Sequence, residues 1–296
     1  MKVAVILGGA SFERDVSLKT GNAVVKACKN NNYDVEAVLI DKNYKKFLPL
    51  LKKVDIVFNA LHGTIGEDGT IQKWLEANNI KYTGSNSVSS ALCMNKIKCK
   101  KILKENDFLT PDWVEYEEGT EISNILLPCV VKPNAQGSTF GLSYVEKLID
   151  LKPAVIKSQK FDNSTLIEQY ITGKEITVGI INERPLPIIE ILPKNRIYDY
   201  DCKYTVGLSK YNCPADISVS LSKKIMNDSL KIFKLLGCKD YGRIDFIIDK
   251  NDNHYFLEIN SLPGMTSTSL LPVAANAHGL SFNELVKLII ELGFKA

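Results

Sequence analysis

The stretch Tyr241-Gly242-Arg243-Ile244-Asp245-Phe246-Ile247-Ile248-Asp249, followed by Lys250-Asn251-Asp252-Asn253 and His254-Tyr255-Phe256-Leu257-Glu258-Ile259-Asn260, decides how this chain is read. Two short apolar runs flank a polar bridge, the pattern of an antiparallel hairpin. Asp245 lies four residues before Asp249 and Glu258 four after His254, so pairing across the turn brings the two carboxylates together. Glu258 and Asn260 are two apart and share one face of a strand, and Arg243 joins the Asp245 face by the same spacing. Polar residues alternating along a hairpin also suit a solvent-facing edge, so the hairpin alone leaves both readings open. The sequel Ser261-Leu262-Pro263-Gly264-Met265-Thr266-Ser267-Thr268-Ser269 favours a site. Its Gly and Pro break the strand and lay backbone N–H groups and hydroxyls beside the carboxylates. Hard oxygen donors in that setting suit Mg²⁺ held jointly by protein and substrate phosphates.

Working outward, the composition sets limits. A chain of 296 residues has room for two or three domains, and 45% hydrophobic with 24% charged residues is the balance of a soluble globular protein. A net charge of +3 with dispersed lysines excludes a nucleic-acid patch or a basic membrane-binding helix. The seven cysteines (Cys28, Cys93, Cys99, Cys129, Cys202, Cys213, Cys238) show no C-x-x-C spacing, which points to reduced thiols in a reducing cytoplasm. Three histidines speak against a zinc site. Val3–Leu7 is too short for a signal-peptide core, and no apolar run reaches transmembrane length. The sequence therefore predicts a soluble, cytoplasmic protein with neither nucleic acid nor membrane as partner.

At the N-terminus, Val3–Leu7 is a continuous apolar run, the signature of a strand buried on both faces. A helical pattern from Ser17 to about Asn30 and strands at Val35–Ile40 and Ile56–Ala60 complete a β-α-β alternation, hence a parallel Rossmann-like sheet. Gly8-Gly9 is not a dinucleotide fingerprint, because no further Gly occurs until Gly21. Glu13 and His62 fall at the carboxyl edge of this sheet, where ligands tend to bind. A lone His in the loop His62-Gly63-Thr64-Ile65-Gly66-Glu67-Asp68-Gly69 serves structure as readily as catalysis. Helices over Ser87–Leu92 and Lys96–Glu105 lead to a second unit.

There, Leu127–Pro133 and Ser143-Tyr144-Val145 flank the loop Gln136-Gly137-Ser138-Thr139-Phe140-Gly141. A Gly-rich hairpin tip can fold over polyphosphate while Lys132 supplies charge, although the P-loop pattern is absent. Thr165–Ile171 is a further strand, and Glu175–Ile181 with Leu186–Ile191 begin a new sheet. Pro193–Pro214 shows no regular period and is long enough to serve as a lid. Helices at about Ile217–Leu236 and Ser281–Glu291 flank the hairpin. The predicted fold is α/β, with α+β character in the C-terminal part. A Rossmann-like domain over 1–85 precedes a central subdomain over 86–171 with the Gly-rich loop. A C-terminal subdomain over 172–296 carries the lid and the metal site.

These parts together resemble the D-alanine–D-alanine ligases of the ATP-grasp superfamily. The resemblance rests on Leu7-Gly8-Gly9 with Ser11–Ser17, Leu61-His62-Gly63 with Gly66–Gly69, and Val131-Lys132-Pro133 with Gly137-Ser138. It rests equally on Tyr198-Asp199-Tyr200 with Lys203-Tyr204, Gly242–Asp245, and Glu258–Asn260 through Pro263–Thr266. The resemblance implies ligation of two D-alanines with ATP as co-substrate, through an acyl phosphate, for peptidoglycan synthesis. It implies two Mg²⁺ ions, replaceable by Mn²⁺, on Asp245, Glu258 and Asn260, and ATP bound by Lys96, Lys132, Glu168, Ile171, Glu175 and Lys203. Glu13, Ser138 and Tyr204 would form a network around the first D-alanine ammonium, with His62 nearby. Arg243 and the Gly264 N–H would hold the oxyanion, and Ser269 with the Leu270 backbone the second carboxylate. A homodimer is the family habit. Gln136 departs from the acidic residue frequent at that place. No base for the second amine is evident, since Arg243 keeps its proton. D-lactate or D-serine as second substrate is the alternative, disfavoured by Tyr204. A non-catalytic nucleotide-binding regulator and a nicotinamide-dependent dehydrogenase are the readings from other classes.

Overall fold

The protein is described from a computed structural model over residues 1–117, 120, 125–194 and 208–295. Its N-terminal layer grows from the apolar run at Val3–Leu7. Strand β1 (Lys2–Gly8) lies between β2 (Asp34–Ile40) and β3 (Ile56–Asn59), parallel to both, with Val3 opposite Val35 on one side and Ile56 on the other. Being central explains its lack of alternation: both faces are covered. Helix α1 (Arg14–Asn30) crosses one face so closely that a Cβ on Gly21 would stand 2.5 Å from Leu7 Cβ. The short helix α2 (Leu48–Leu51) and helix α3 (Thr70–Ala77) follow, and Leu51, Ile71 and Leu75 pack on Ala4, Ile6 and Ile40 on the other face.

Helices α4 (Ser87–Met94) and α5 (Lys96–Glu105) are each opened by an asparagine, Asn86 and Asn95, whose side chain accepts a backbone N–H three residues on. They lead to an antiparallel sheet ordered β4 (Trp113–Tyr116), β7 (Thr165–Gln169), β5 (Cys129–Pro133), β6 (Ser143–Val145), backed by α6 (Leu151–Gln159). The Gly-rich loop joins β5 to β6 as the sequence predicts. Strand β4 and helix α6 were not anticipated by the apolar periodicity.

The third sheet is also antiparallel. Its order is β11 (Ser209–Asn212), β10 (Ile189–Pro193), β8 (Lys174–Ile181), β12 (Tyr241–Ile248), β13 (His254–Asn260), with β9 (Arg184–Pro185) on β8. Strand β8 is central and pairs with β12 along its whole length. Helix α7 (Val219–Leu235) covers one face, burying Ile225, Ile232 and Phe233 against Val178, Ile180 and Ile244. On the other face, α8 (Leu270–Ala277) and α9 (Phe282–Lys295) bury Leu271, Leu285 and Ile289 in one cluster with Val3, Val5 and Phe58 of the N-terminal layer. The C-terminal helices thus tie the first and last sheets into a shared core.

Two expectations are corrected. Pro193–Pro214 is not irregular throughout: Ser209–Asn212 forms β11, with Tyr211 opposite Ile191. The sequence Ser-Lys-Tyr-Asn hides it, since an edge strand needs little apolar content. The strand placed at Leu186–Ile191 starts later and runs further, as β10 over Ile189–Pro193. Ahead of it the short β9 folds back on β8 through Asn182 and Glu183, which turn the chain with φ of 50° and 56°. Tyr198, Asp199, Tyr200, Lys203 and Tyr204 lie outside the described residues.

Candidate active site

Strands β12 and β13 set the floor. Asp245 stands directly opposite Glu258, and Arg243 opposite Asn260, with a register shift between Asp245 and Phe246. The predicted juxtaposition of carboxylates is present. Arg243 binds Asp245 in a fork, Nε to Oδ1 and Nη2 to Oδ2, both at 2.9 Å. Thr177 on β8 donates to Asp245 Oδ1 at 2.5 Å, and Asn260 Nδ2 donates to Oδ2 at 3.3 Å. Glu258 Oε2 lies 3.4 Å from Lys96 Nζ. Two carboxylates and an amide oxygen are the hard donors that Mg²⁺ takes. In the protein alone, Arg243 and Lys96 balance the charge that a divalent ion would balance, so the donor set fits the ion. Among the described residues no group of three His, Cys, Asp or Glu side chains converges as a metal cage.

A cavity of about 330 Å³ runs from this floor between the second and third sheets. Lys96, Lys132, Gln136, Glu168, Ile171, Glu175, Asp245 and Glu258 line it, together with Phe140, Tyr170, Ile247 and Leu257. Lys96 is held by donating to the Gln136 carbonyl at 2.8 Å. Lys132 donates to Glu168 Oε1 at 2.9 Å. Glu168 is 3% exposed; burial would raise its carboxyl, but the charges of Lys100 and Lys132 overcome that and hold it below the usual range. Such a slot has apolar walls and pairs a lysine with a carboxylate twice, Lys132 with Glu168 and Lys96 with Glu258. It suits a purine base attached to polyphosphate.

A second cavity, of about 210 Å³, opens on the other side of the floor. Glu13, His62, Ser138, Arg243, Asn260, Gly264, Ser269 and Leu270 line it, with Thr20, Glu67 and Tyr211. The Ser138 hydroxyl donates to Glu13, a short contact joining the Gly-rich loop to the start of α1. The loop reaches that place because residue 137 is glycine: a Cβ there would stand 3.0 Å from Glu13 Oε2. Ser138 and Thr139 adopt left-handed φ of 49° and 57°, a strain that the surrounding contacts must sustain. His62 is buried, with Nδ1 2.8 Å from Glu67 Oε1 and Nε2 3.2 Å from Thr20 Oγ1. Burial pulls its pKa down, the Glu67 hydrogen bond and charge push it up, and the net direction is up. Ser269 stands at the N-cap position of α8 with its hydroxyl turned to Thr266 rather than capping the helix. Leu270 is the first residue, so the free N–H groups of that helix start here.

The two cavities meet at the loop over 136–139 and the pair of strands carrying Asp245, Glu258 and Asn260. Every site residue predicted from the sequence and lying within the described residues lines one cavity or the other. The sequence reading missed Lys100, Glu67, Thr20, Thr177 and Tyr211 as participants. Glu67 sits five residues after His62 in a loop already singled out, and that proximity was a usable signal. Lys100 carried none, since a lysine on a lysine-rich helix reads as solvated.

A parallel layer followed by two antiparallel sheets gripping a nucleotide-sized cleft over paired carboxylates is the ATP-grasp fold of ligases. Comparison with known proteins narrows this. The family model described as D-ala D-ala ligase C-terminus matches residues 90–291, and that described as D-ala D-ala ligase N-terminus matches 2–49 and 43–85. The chain belongs to the D-alanine–D-alanine ligase family. It is 44% identical to the D-alanine–D-alanine ligase of Aquifex aeolicus over 98% of this chain and 100% of that protein. It is 41% identical to that of Carboxydothermus hydrogenoformans, over 100% of this chain and 99% of the relative. The crystal structure of the Bacillus anthracis ligase superposes with a TM-score of 0.90 at 35% identity, covering 100% of this chain and 98% of that one. The VanG D-Ala:D-Ser ligase of Enterococcus faecalis gives 0.85 at 29% identity, with 99% of each chain covered.

Proposed function

We propose that the chain joins two D-alanines with ATP, making D-alanyl-D-alanine for peptidoglycan precursors, and that its two cavities are the two halves of one reaction chamber. The observation that carries this is their shared floor. A terminal phosphate at the inner end of the larger cavity lies against an amino-acid carboxylate at the inner end of the smaller one, across Asp245, Asn260 and the Gly-rich loop. In the first step a carboxylate oxygen of one D-alanine attacks the γ-phosphorus, forming a P–O bond and releasing ADP. In the second, the amine of the other D-alanine attacks the acyl carbon, a C–N bond forms, and the C–O bond to phosphate breaks.

Each role follows from charge placed in advance. Lys96 and Lys132 face the phosphates; Glu168, Ile171 and Glu175 take the base and ribose; Lys203 adds charge from the segment over 195–207. Asp245, Glu258 and Asn260 would hold the two Mg²⁺ ions, which draw charge off the phosphate oxygens when bound. Glu13, fixed by Ser138 and joined by Tyr204, holds the first ammonium, and His62 orients beside it. Arg243 and the Gly264 N–H take the developing oxyanion; for this, Arg243 exchanges Asp245 for the substrate. Ser269 and the α8 N-terminus hold the second carboxylate. The lid expected over Pro193–Pro214, whose part would be to exclude water, lies over 195–207 outside the described residues. Relatives at 40–44% identity are D-alanine–D-alanine ligases, which supports D-alanine over D-serine or D-lactate as second substrate.

The three sheets support division at 1–85, 86–171 and 172–296. The cysteines among the described residues are free thiols and no helix there is long and apolar enough to cross a membrane, which supports a cytoplasmic place. A homodimer belongs to the same reading. The test is product analysis with ATP, Mg²⁺ and D-alanine against D-lactate and D-serine at neutral pH. D-alanyl-D-alanine with one ADP per dipeptide is expected; ester or D-alanyl-D-serine as main product overturns the substrate assignment.

A further inference from the structure

Lys100 is fully buried, yet it does not line either cavity. Its ammonium has a partner in each direction. It stands 2.6 Å from Glu168 Oε2, donates to Thr110 Oγ1 at 2.5 Å and to the Pro111 carbonyl at 3.2 Å, and lies 5.3 Å from the Trp113 ring centroid. Trp113 is the cross-strand neighbour of Glu168. The segment that Lys100 grips is in turn fastened to the metal-bearing hairpin: Thr110 Oγ1 donates to the Phe256 carbonyl at 3.0 Å, and the Phe256 N–H donates to Leu109 at 2.8 Å. Burying an ammonium is costly, and a purely structural post could be an apolar residue of the same length. The arrangement makes sense if the charge itself is needed by what it faces.

What it faces is a carboxylate in the wall of the nucleotide cleft. Glu168 is met by Lys132 from β5 and Lys100 from α5, with Asp112 the further charge acting on Lys100. Lys132 lines the cleft and is open to engagement by phosphate; Lys100 is sealed behind the wall. Only Lys100 is out of reach of a phosphate in the cleft.

We propose that Lys100 is a positioning residue for the nucleotide: it keeps Glu168 an acceptor-only carboxylate and so makes the cleft select a purine with a 6-amino group over one with a 6-oxo group. This rests on the proposed placement of the base against Glu168. An ionised carboxylate accepts from an exocyclic amine and repels an exocyclic carbonyl. A protonated one can donate to that carbonyl, and the discrimination is lost. Burial pulls the Lys100 ammonium down to about 8, so below that pH it is charged, and Glu168 is held low by its two lysines. Without Lys100 one of the two cations that offset burial is gone, and the carboxyl rises.

The test is calorimetric binding of ADP and of IDP to the full chain from about pH 5.5 to 7, below the Lys100 value, without D-alanine, for the wild type, Lys100→Met and Lys100→Arg. The wild type prefers ADP with a ratio that does not fall on the acid side. In Lys100→Met, ADP binding at pH 7 weakens by about tenfold, the change expected for losing one well-placed acceptor. The ADP-to-IDP ratio shrinks further as pH falls, and Lys100→Arg restores most of the preference. A Lys100→Met protein with the wild-type ratio and pH profile overturns the inference. If Lys100→Met does not fold, the double variant Lys100→Met, Glu168→Gln removes the uncompensated charge. A low, pH-independent ratio is then expected, and a wild-type ratio overturns the inference. Failure of the ligase reading is seen separately, as a wild type that binds ADP selectively but forms no dipeptide.

Discussion

The two cavities differ in how they are built, although they share a floor. The nucleotide cleft lies between two antiparallel sheets, and most of its charged groups stand on strands, Lys132 on β5, Glu168 on β7, Glu175 on β8 and Asp245 on β12, with Lys96 at the start of α5 the exception. The amino-acid cavity is assembled from loop ends and helix starts: Glu13 before α1, His62 after β3, Ser138 on a strained loop, Ser269 before α8. Strands fix a rigid slot for a ligand that is the same in every turnover. Loops and helix N-termini supply N–H groups and short polar side chains close to a small, charged substrate. The difference teaches where specificity and where catalysis can be tuned independently, because only the floor belongs to both.

Substitutions in the floor have the largest expected effect. Asp245→Asn removes a donor oxygen and breaks the Arg243 fork, so kcat falls by about 10²–10³ with both substrates saturating, as for loss of one transition-state donor. Initial rates of ADP release measure it; unchanged turnover removes Asp245 from the site. Next come changes confined to one wall. Glu13→Gln raises KM for D-alanine by about tenfold while leaving KM for ATP within about twofold, as a lost charge-assisted hydrogen bond requires. Equal shifts in both constants would erase the distinction between the cavities.

A smaller effect concerns pH. The His62 pKa is raised in the folded chain, because Glu67 outweighs burial. The folded state therefore binds the His62 proton more tightly than the unfolded chain does. The stability this brings is fully present below the unfolded value and is lost as pH rises through the folded value. Glu67→Gln destabilises the protein by about 2 kcal/mol on the acid side, the scale of a hydrogen bond to a charged group. The gap to wild type narrows as pH increases. Urea titrations at a series of pH values read this; a gap that widens with pH has the wrong sign. Smallest is Phe12→Ala. Phe12 is 67% exposed but its ring lies 5.4 Å from Phe161 and 6.0 Å from Phe140, joining the first sheet's loop to the Gly-rich loop. Losing those ring contacts is worth about 0.5–1 kcal/mol by thermal melting.

Much of this was legible in the sequence where one physical signal dominated. Val3–Leu7 announced a doubly covered strand, and the polar bridge Lys250–Asn253 announced the hairpin. Its turn pairs Ile248 with His254, a register that would set Asp245 against Leu257. The bulge between Asp245 and Phe246, which the sequence did not announce, brings Asp245 opposite Glu258. Helix α8 was hidden because Pro272 reads as a breaker. In the first turn it is tolerated, since that N–H has no helical partner to lose. Its existence explains why Ser269 and Leu270 suit a carboxylate. Lys100 could not be read, because burial of a lysine depends on partners contributed by Glu168, Thr110 and Pro111 from other segments. The roles of Lys203 and Tyr204 rest on the family resemblance, as both lie outside the described residues.

The shared floor makes one demand on atoms that neither cavity makes alone: the oxygen attacking phosphorus must come from the amino acid and leave with the phosphate. D-alanine labelled with ¹⁸O in its carboxylate, turned over with ATP and Mg²⁺, tests this by mass spectrometry of the products. One ¹⁸O in the released phosphate per dipeptide formed is the result a single chamber predicts. Dipeptide accompanied by unlabelled phosphate would contradict it.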